Sequence, residues 1–191
     1  MANGKKPATY EDIEALPAGW VGEILEDELV ASRPPIGVAH ATLMLLAVLL
    51  EPCGLGRGGA GEWRILPRTE VRLGRDILVP DVVGWHWERM PSLPAEAHFV
   101  TLAPDWVCEV LSPSTVTVDR ERKLPIYHRE GVGHVWLVDP FAHTLEVYRR
   151  EASGWVLTAT HEGEALVRAE PFDAVPLDLG LLWVERAPAS R

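Results

Sequence analysis

The chain has few lysines, few cysteines and no long apolar run, and each shortage excludes a class of protein. Only three lysines occur, and Lys123 is the sole one beyond Lys5 and Lys6 in the N-terminal tail. Two cysteines, Cys53 and Cys108, give no disulfide framework, and Cys108 lies in an apolar run as a reduced core residue would. We therefore expect no disulfide-stabilised scaffold, and Lys123 stands out as a candidate functional residue.

The apolar segments are too short for a membrane protein. The longest run, ATLMLLAVLL at residues 41–50, cannot span a bilayer and predicts a buried helix. The first 20 residues have no apolar signal core. We expect a cytoplasmic protein without a membrane partner.

The net charge of −10 and the isoelectric point near 5.1 weigh against non-specific binding to nucleic acid. Clustered carboxylates that bind metal would account for part of this charge, because bound cations offset it. Other common sites lack their motifs. The glycine-rich loop 53–61 has no Gly-Lys-Ser/Thr ending, no G-x-S-x-G occurs, and the histidines and cysteines lack zinc-ligand spacing.

The periodicity predicts one mixed α/β or α+β domain, and the length of 191 residues is enough for its own core. We assign residues 1–19 to a polar, loosely attached segment, 20–186 to the domain and 187–191 to a tail. The predicted elements are a hairpin over 22–30 that turns at Glu26–Asp27, a buried helix over 37–51, one alternating strand over 62–73, strands over 79–87, 106–111 and 134–140, a helix over 117–130, and a hairpin around 151–154.

Two carboxylates stand where burial is expected. Glu109 interrupts an apolar strand and shares a face with Val107 and Leu111. An ionised carboxylate is strongly unfavourable there unless it is paired, hydrogen-bonded or bound to metal, so a strand-end salt bridge and a metal site both stay open. Asp81 follows Pro80 and is either a turn residue or a second ligand that converges with Glu109 on a cation such as Mg²⁺.

Lys123 suggests a role that arginine could not fill. A compact ammonium can approach a water or a scissile phosphate and can shift its pKa when desolvated. The alternative is a chance lysine on an exposed helix beside Arg120 and Arg122. Tyr127 lies four residues later on the same helix face, where it orients the lysine, contacts phosphate or packs.

Further candidates are Glu23 in the first hairpin and His40 at the start of the buried helix, although a lone histidine there equally suits a structural role. The alternation over 62–73 places Arg64, Arg68 and Arg72 on one face, which is either solvated or turned toward phosphate. Arginines at 57, 64, 68, 72 and 75 outnumber the acids at 62 and 70. A local basic surface for DNA therefore stays open despite the global charge.

The constellation resembles the Uma-two family of predicted restriction endonucleases, a branch of the PD-(D/E)xK nuclease superfamily. The matching pieces are GEILEDELV, His40 at the head of its helix, VPDVVGW, CEVLSPST, DRERKLPIYHREGVGHVWLVDP and LEVYRR, in order from about residue 20 to 150, with LDLGLLW near the end. The middle block is the specific part. The chain departs from the superfamily at Leu111, where a lysine is usual, and Asp27 replaces the family's usual hairpin glycine.

The resemblance implies a restriction-endonuclease-like α/β core, in which helices flank a central mixed sheet and a C-terminal hairpin extends it. Asp81 and Glu109 would hold Mg²⁺, for which Mn²⁺ could substitute, and the backbone carbonyl of Val110 would complete the shell. Lys123, moved from the strand to the following helix, would position water or stabilise the charge that develops on the phosphate. Glu23, His40 and Tyr127 would be auxiliary.

The implied activity is metal-dependent hydrolysis of DNA phosphodiester bonds by a homodimer, since two strands are cut. The DNA would contact five arginines: Arg64, Arg68, Arg72, Arg120 and Arg122. Two alternatives stay open. One is an inactive protein of the same fold that acts as an interaction or DNA-associated module, which the acidic charge favours. The other is hydrolysis of a different phosphate-containing substrate.

Overall fold

The computed structural model of the chain describes residues 6–54 and 63–184. The strands within these residues are β1 (Val21–Leu25), β2 (Glu28–Ser32), β3 (Trp63–Pro67), β4 (Val71–Leu73), β5 (Asp76–Leu78), β6 (Val82–His86), β7 (Trp106–Val110), β8 (His134–Asp139), β9 (Thr144–Glu151), β10 (Gly154–Glu162), β11 (Leu166–Val167) and β12 (Leu177–Asp178). The helices are α1 (Tyr10–Glu14), α2 (Ile36–Leu49), α3 (Val116–Val118) and α4 (Leu124–Arg129). Two π-helical turns, Leu50–Gly54 and Asp119–Lys123, extend α2 and join α3 to α4, and a short 3₁₀ turn covers Leu179–Leu181.

A six-stranded mixed sheet forms the centre, in the order β10-β9-β8-β7-β6-β3. Its neighbouring strands are antiparallel except for β7 and β8, which are parallel. Parallel neighbours need a crossover connection, and the helical segment 116–129 supplies it. The β9–β10 hairpin extends the sheet at one edge, as predicted.

The two faces of this sheet bury different layers, because side chains alternate along β7. Trp106, Cys108 and Val110 face a cluster that includes α2 and the C-terminal segment. Val107 and Leu111 face α4 and the smaller sheet. Both faces are therefore covered, which confirms the predicted α/β class with its mixed central sheet.

A second sheet, in the order β2-β1-β5-β4, lies against the second face. The β1–β2 hairpin is confirmed, and its two turn residues, Glu26 and Asp27, have φ of 53° and 68°. This pair of positive φ values is that of a type I′ turn, which matches the twist of the flanking strands.

The single strand predicted over 62–73 is wrong, because the described part of this segment forms two strands in different sheets. β3 pairs with β6 in the large sheet, and β4 pairs with β5 in the small one. The break falls at Arg68, whose φ of 41° is in the left-handed region. The buried residues Trp63 and Ile65 before the break and Val71 and Leu73 after it keep the same two-residue alternation. Periodicity alone therefore gave no sign of the break.

The N-terminal segment is attached more closely than predicted. It forms α1, and Ala8 N–H donates to Asp27 O at 2.8 Å. Gly22 lets Leu16 approach β1, because a Cβ there would lie 2.6 Å from Leu16 Cδ1. Of the predicted features, most of the loop 53–61, the arginine at 57 and the tail 187–191 lie outside the described residues.

Helix α2 with its π turn covers 19 residues, Ile36–Gly54, which by length and composition alone would suffice to cross a membrane. In this fold the helix packs instead on the large sheet, with Val38, Ala41, Leu45 and Leu49 in the core. The helix is apolar all round, so its other side exposes Ile36 and Leu43.

Candidate active site

Lys123 is buried at the end of a cleft, within reach of three carboxylates. Its Nζ lies 3.0 Å from Glu23 Oε2, 3.0 Å from Asp119 Oδ1 and 3.4 Å from Glu109 Oε1. All four side chains are at most 6% exposed. The interpretation of Lys123 as a chance lysine on an exposed helix is therefore wrong.

The three carboxylates come from different parts of the fold. Glu23 lies on β1 of the small sheet, and its second oxygen accepts from Val79 N–H at 2.8 Å. Glu109 lies on β7 of the large sheet, on the face that packs against α4. Asp119 lies one turn before Lys123 in the π-helical turn. The cluster therefore joins both sheets and the crossover helix.

Tyr127 orients Glu109 rather than Lys123. Its hydroxyl donates a short hydrogen bond to Glu109 Oε1, the same oxygen that Lys123 approaches. Tyr127 is fully buried in the core beneath the cleft. Burial raises the pKa of the Tyr127 hydroxyl, and the neighbouring carboxylates of Glu109 and Glu23 raise it further, so Tyr127 stays a donor.

Asp81 lines the same cleft just before β6. Its Oδ2 accepts from Val110 N–H at 2.9 Å, and its Oδ1 lies 4.0 Å from Arg68 Nε. Burial raises the pKa of Asp81 to about 6, although the Val110 N–H, Lys123 and Arg68 lower it. The bond from Val110 fixes Asp81 against the end of β7, where Glu109 also lies.

The acids outnumber the bases in this cleft, which contains Glu23, Asp81, Glu109 and Asp119 against Lys123 and Arg68. Burial raises the pKa of Glu109 well above its usual range, and nearby carboxylates, Asp81 among them, add to the rise while Lys123 opposes it. Burial lowers the pKa of Lys123, but Glu109, Glu23 and Asp119 outweigh this effect and raise it well above its ordinary value. The cleft thus carries net negative charge that a further cation would offset.

The donor set suits Mg²⁺, which takes one or two carboxylates and keeps several waters. Asp81 and Glu109 line one cleft and are the residues that would hold such an ion. No group of three or more His, Cys, Asp or Glu side chains arranged to hold a metal occurs within residues 6–54 and 63–184. A metal here would therefore have few protein ligands. The backbone carbonyl of Val110 would be one of them, since Val110 also lines the cleft.

Sequence reasoning missed Asp119, Ser112 and Thr115, which all line the cleft. Ser112 Oγ lies 3.0 Å from both Thr115 Oγ1 and Ser114 Oγ, so the SPST segment folds its hydroxyls together after β7. Asp119 stands four residues before Lys123, and this spacing on a helix is a signal that could have identified it.

His40 serves a structural role. Its Nε2 lies 3.1 Å from Leu181 O, so the imidazole links α2 to the C-terminal segment. It lies outside the set of described residues that line the cleft.

Four of the five arginines predicted to contact DNA have partners within the chain. Arg64 donates to Met90 O and Pro91 O, and the guanidinium of Arg72 lies over the ring of Phe99. Arg120 forms a bidentate pair with Glu146 at 2.8 Å for each bond. Arg122 donates to Leu25 O at 2.7 Å and lies 3.3 Å from Glu28. The fifth, Arg68, lines the cleft.

Comparison with known proteins identifies the family. Residues 7–180 match the model of Uma2, described as "Putative restriction endonuclease". The chain belongs to the Uma2 family. This Uma2 protein is also similar to the crystal structure of "a putative nuclease belonging to DUF820" from Anabaena variabilis, with a TM-score of 0.70 and 23% identity over 93% of this chain and 98% of that one. The likeness shows a shared fold. Curated proteins gave no match.

The lysine of the cleft in this Uma2 protein, Lys123, comes from the crossover helix and not from strand β7. Leu111, two positions after Glu109 on the same face of the chain, is buried in the core. Lys123 approaches Glu109 from the crossover helix instead and lines the cleft with Asp81. The helix thus brings an ammonium to the acids without placing one in the strand.

Proposed function

We propose that this Uma2 protein is a Mg²⁺-dependent DNA endonuclease that hydrolyses phosphodiester bonds in the cleft around Lys123. The observation that carries the proposal is the buried set of Lys123, Glu109 and Asp81, which the fold assembles from three separate elements. Buried charges of this kind are costly to maintain, and perturbed ionisable groups in a cleft are a common feature of active sites. The family description and the nuclease named in the structural match support the same class.

Each residue of the cleft would have a separate role in the reaction. Asp81 and Glu109 would hold the metal, with the backbone carbonyl of Val110, and the metal would supply charge neutralisation and an activated water. Lys123 holds a positive charge beside the reacting phosphate and positions water. Tyr127 fixes the carboxylate of Glu109 through its hydrogen bond, and Glu23 holds Lys123 in place.

Plasmid cleavage with Mg²⁺ or Mn²⁺ tests the proposal. Asp81→Asn and Glu109→Gln preserve side-chain volume and remove the ligand charge, so we expect each to lower the cleavage rate at least 100-fold. Glu121→Gln is a matched control, since Glu121 is exposed on the same crossover segment. Cleavage that survives both site substitutions would assign the activity to another site or to a contaminant.

A second candidate is a non-catalytic member of the fold that acts as an interaction or DNA-associated module. One observation favours it: Lys123 already stands between three carboxylates and neutralises part of their charge without a metal. Titration with Mn²⁺ separates the two, because the endonuclease must bind the ion at the cleft and the module need not. If the chain cleaved a phosphate ester other than DNA with the same metal dependence, only the proposed substrate would change, and the proposed chemistry would stand.

We also propose a homodimer, since an endonuclease of this kind cuts two strands. The outward side of α2 offers a face, because Ile36 and Leu43 are 87% and 59% exposed and Phe141, which lies beside Gly37, is 52% exposed. The helix Ile36–Leu49 carries no Asp, Glu, Lys or Arg, so two acidic chains could meet there with little repulsion. Sedimentation of the parent and of Leu43→Glu tests this, and a parent that is monomeric at micromolar concentration would contradict it. A cytoplasmic location stays a prediction.

A further inference from the structure

Arg68 differs from the other arginines predicted to contact DNA, because it lines the cleft. Its side chain is 40% exposed, and its one ionic contact among the described residues is a distant one, 4.0 Å from Nε to Asp81 Oδ1. No hydrogen bond from this guanidinium to another residue of 6–54 or 63–184 occurs at normal length. Its donors are therefore available to a ligand that enters the cleft.

The backbone at Arg68 is in an unfavourable conformation. Its φ of 41° is one that L-residues with long side chains rarely adopt. The corner is fixed from both sides, since Arg68 N–H donates to Asp81 O at 3.1 Å and Pro67 is in register with Val82. Strain of this kind persists where the surrounding structure imposes it, and it is concentrated at functional sites. Here it turns the chain out of β3 so that Arg68 meets Asp81.

The negative charge of the cleft explains why a cation at the position of Arg68 would be needed. Four carboxylates line the walls, whereas Lys123 is buried at the end and paired with three of them. A phosphodiester is anionic and would be repelled at the mouth unless a cation received it. The planar guanidinium binds two oxygens of a phosphate at once, which a lysine ammonium does not.

We propose that Arg68 binds the non-bridging oxygens of the scissile phosphate and holds the phosphate against the Asp81 side of the cleft. The inference rests on the proposed endonuclease function and adds a substrate ligand from the β3–β4 corner to Asp81, Glu109 and Lys123. Arg68 is then the residue that offsets the negative cleft for an anionic substrate.

The test uses the full chain and a labelled DNA duplex at pH 8, above the pKa of about 6 that the Asp81 carboxyl has in the parent chain. We expect Arg68→Ala to lower kcat/KM at least 100-fold. Arg68→Lys should lower it less, because lysine keeps the positive charge but lacks the planar guanidinium. Mn²⁺ affinity, measured by calorimetry without DNA, should change less than threefold. Arg75→Ala is the matched control, since Arg75 is 61% exposed in the β4–β5 turn and pairs with Asp27.

A second variant separates the role in binding from a role in folding. Glycine accepts positive φ without strain, so Arg68→Gly should have a melting temperature at least equal to that of Arg68→Ala while showing the same loss of cleavage. Loss of activity in a variant that is no less stable excludes a merely structural role.

Three results would overturn the inference. Arg68→Ala with kcat/KM within threefold of Arg75→Ala would remove Arg68 from the site while leaving the endonuclease intact. Loss of Mn²⁺ affinity in Arg68→Ala would assign Arg68 to support of the metal site instead of the phosphate. A parent chain that binds no metal and cleaves no DNA would reject the proposed function itself, and the inference would be rejected with it.

Discussion

At the scale of single residues, the most unusual feature is a lysine enclosed by carboxylates and almost inaccessible to water. Removing ions from water costs several kcal/mol each, and mutual attraction recovers this only with close contacts. Lys123 has three such partners, at 3.0, 3.0 and 3.4 Å. Each ion in the cluster is therefore stable only in the presence of the others.

Replacing Lys123 with methionine should destabilise the whole chain. Three buried carboxylates would lose their shared cation, so we expect the free energy of unfolding at pH 8 to fall by about 3–5 kcal/mol. Urea denaturation measures the change, with Lys6→Met as the exposed control. A loss below about 1 kcal/mol would mean that water or ions already neutralise the cluster. Loss of cleavage in Lys123 variants must accordingly be interpreted together with their stability.

The turn at Asp27 should be improved by glycine. Asp27 has φ of 68°, and a left-handed conformation costs an L-residue roughly 1–2 kcal/mol, less for aspartate. The substitution also removes an exposed ion pair with Arg75, worth about 0–1 kcal/mol. Measured in an Arg75→Ala background, where that pair is already absent, Asp27→Gly should raise stability by about 0.5–1 kcal/mol. No gain in thermal denaturation would show that the turn is not strained.

At the scale of elements, the crossover helix positions the site because two arginines just before Lys123 anchor it to both sheets. Arg122 donates to Leu25 O of β1, and Arg120 pairs with Glu146 of β9. The π-helical turn Asp119–Lys123 between α3 and α4 places Asp119 and Lys123 at the same cluster. Local widening of this kind is frequent at functional sites.

The link to β9 should be sensitive to pH. The hydrogen bonds from Arg120 hold the pKa of Glu146 below its usual range. Its ionised form therefore contributes stability above the unfolded pKa of about 4.3, and this contribution is lost as pH falls through the lower folded pKa. Glu146→Gln should be less stable than the parent at pH 7 and indistinguishable from it near pH 2. Urea midpoints at pH 7, 5 and 2 check this, and a pH-independent difference would contradict it.

The elements show where sequence patterns are informative. The hairpin at Glu26–Asp27 follows from alternation and turn chemistry, and strand β7 follows from a continuous apolar run; both signals act over a few residues. Alternation failed at Arg68, since a three-residue corner keeps the same faces buried on both sides. It also missed β5, whose three residues Asp76–Leu78 are too few to show a period.

The site shows the same limit. Glu109 could be found from the sequence because a carboxylate in an apolar strand is locally anomalous. The pairing of Glu23 with Lys123 joins residues 100 positions apart, and no local pattern encodes it. The alternation placed Arg64 and Arg72 on a charged face, but it could not show that Met90 O and the ring of Phe99 occupy their guanidinium groups.

At the scale of the whole molecule, the charge of −10 and the internally paired arginines limit attraction to DNA. Affinity for duplex DNA without divalent ions should therefore depend weakly on salt. One or two phosphate contacts give a slope of log K against log salt of about −0.9 to −1.8. Fluorescence anisotropy between 50 and 200 mM salt measures it. A slope steeper than about −4 would reveal a basic surface elsewhere on the chain.

The cluster around Lys123 also sets a condition on when the chain can act. Glu23 comes from the first hairpin, Glu109 from β7 and Lys123 from the helix that leads into β8, so no stretch shorter than about residues 21–139 contains the full set with its supporting strands. A partly synthesised or proteolysed chain has separated acids and no enclosed ammonium. Any hydrolytic activity at this cluster would consequently be withheld until the segment from β1 to β8 has folded.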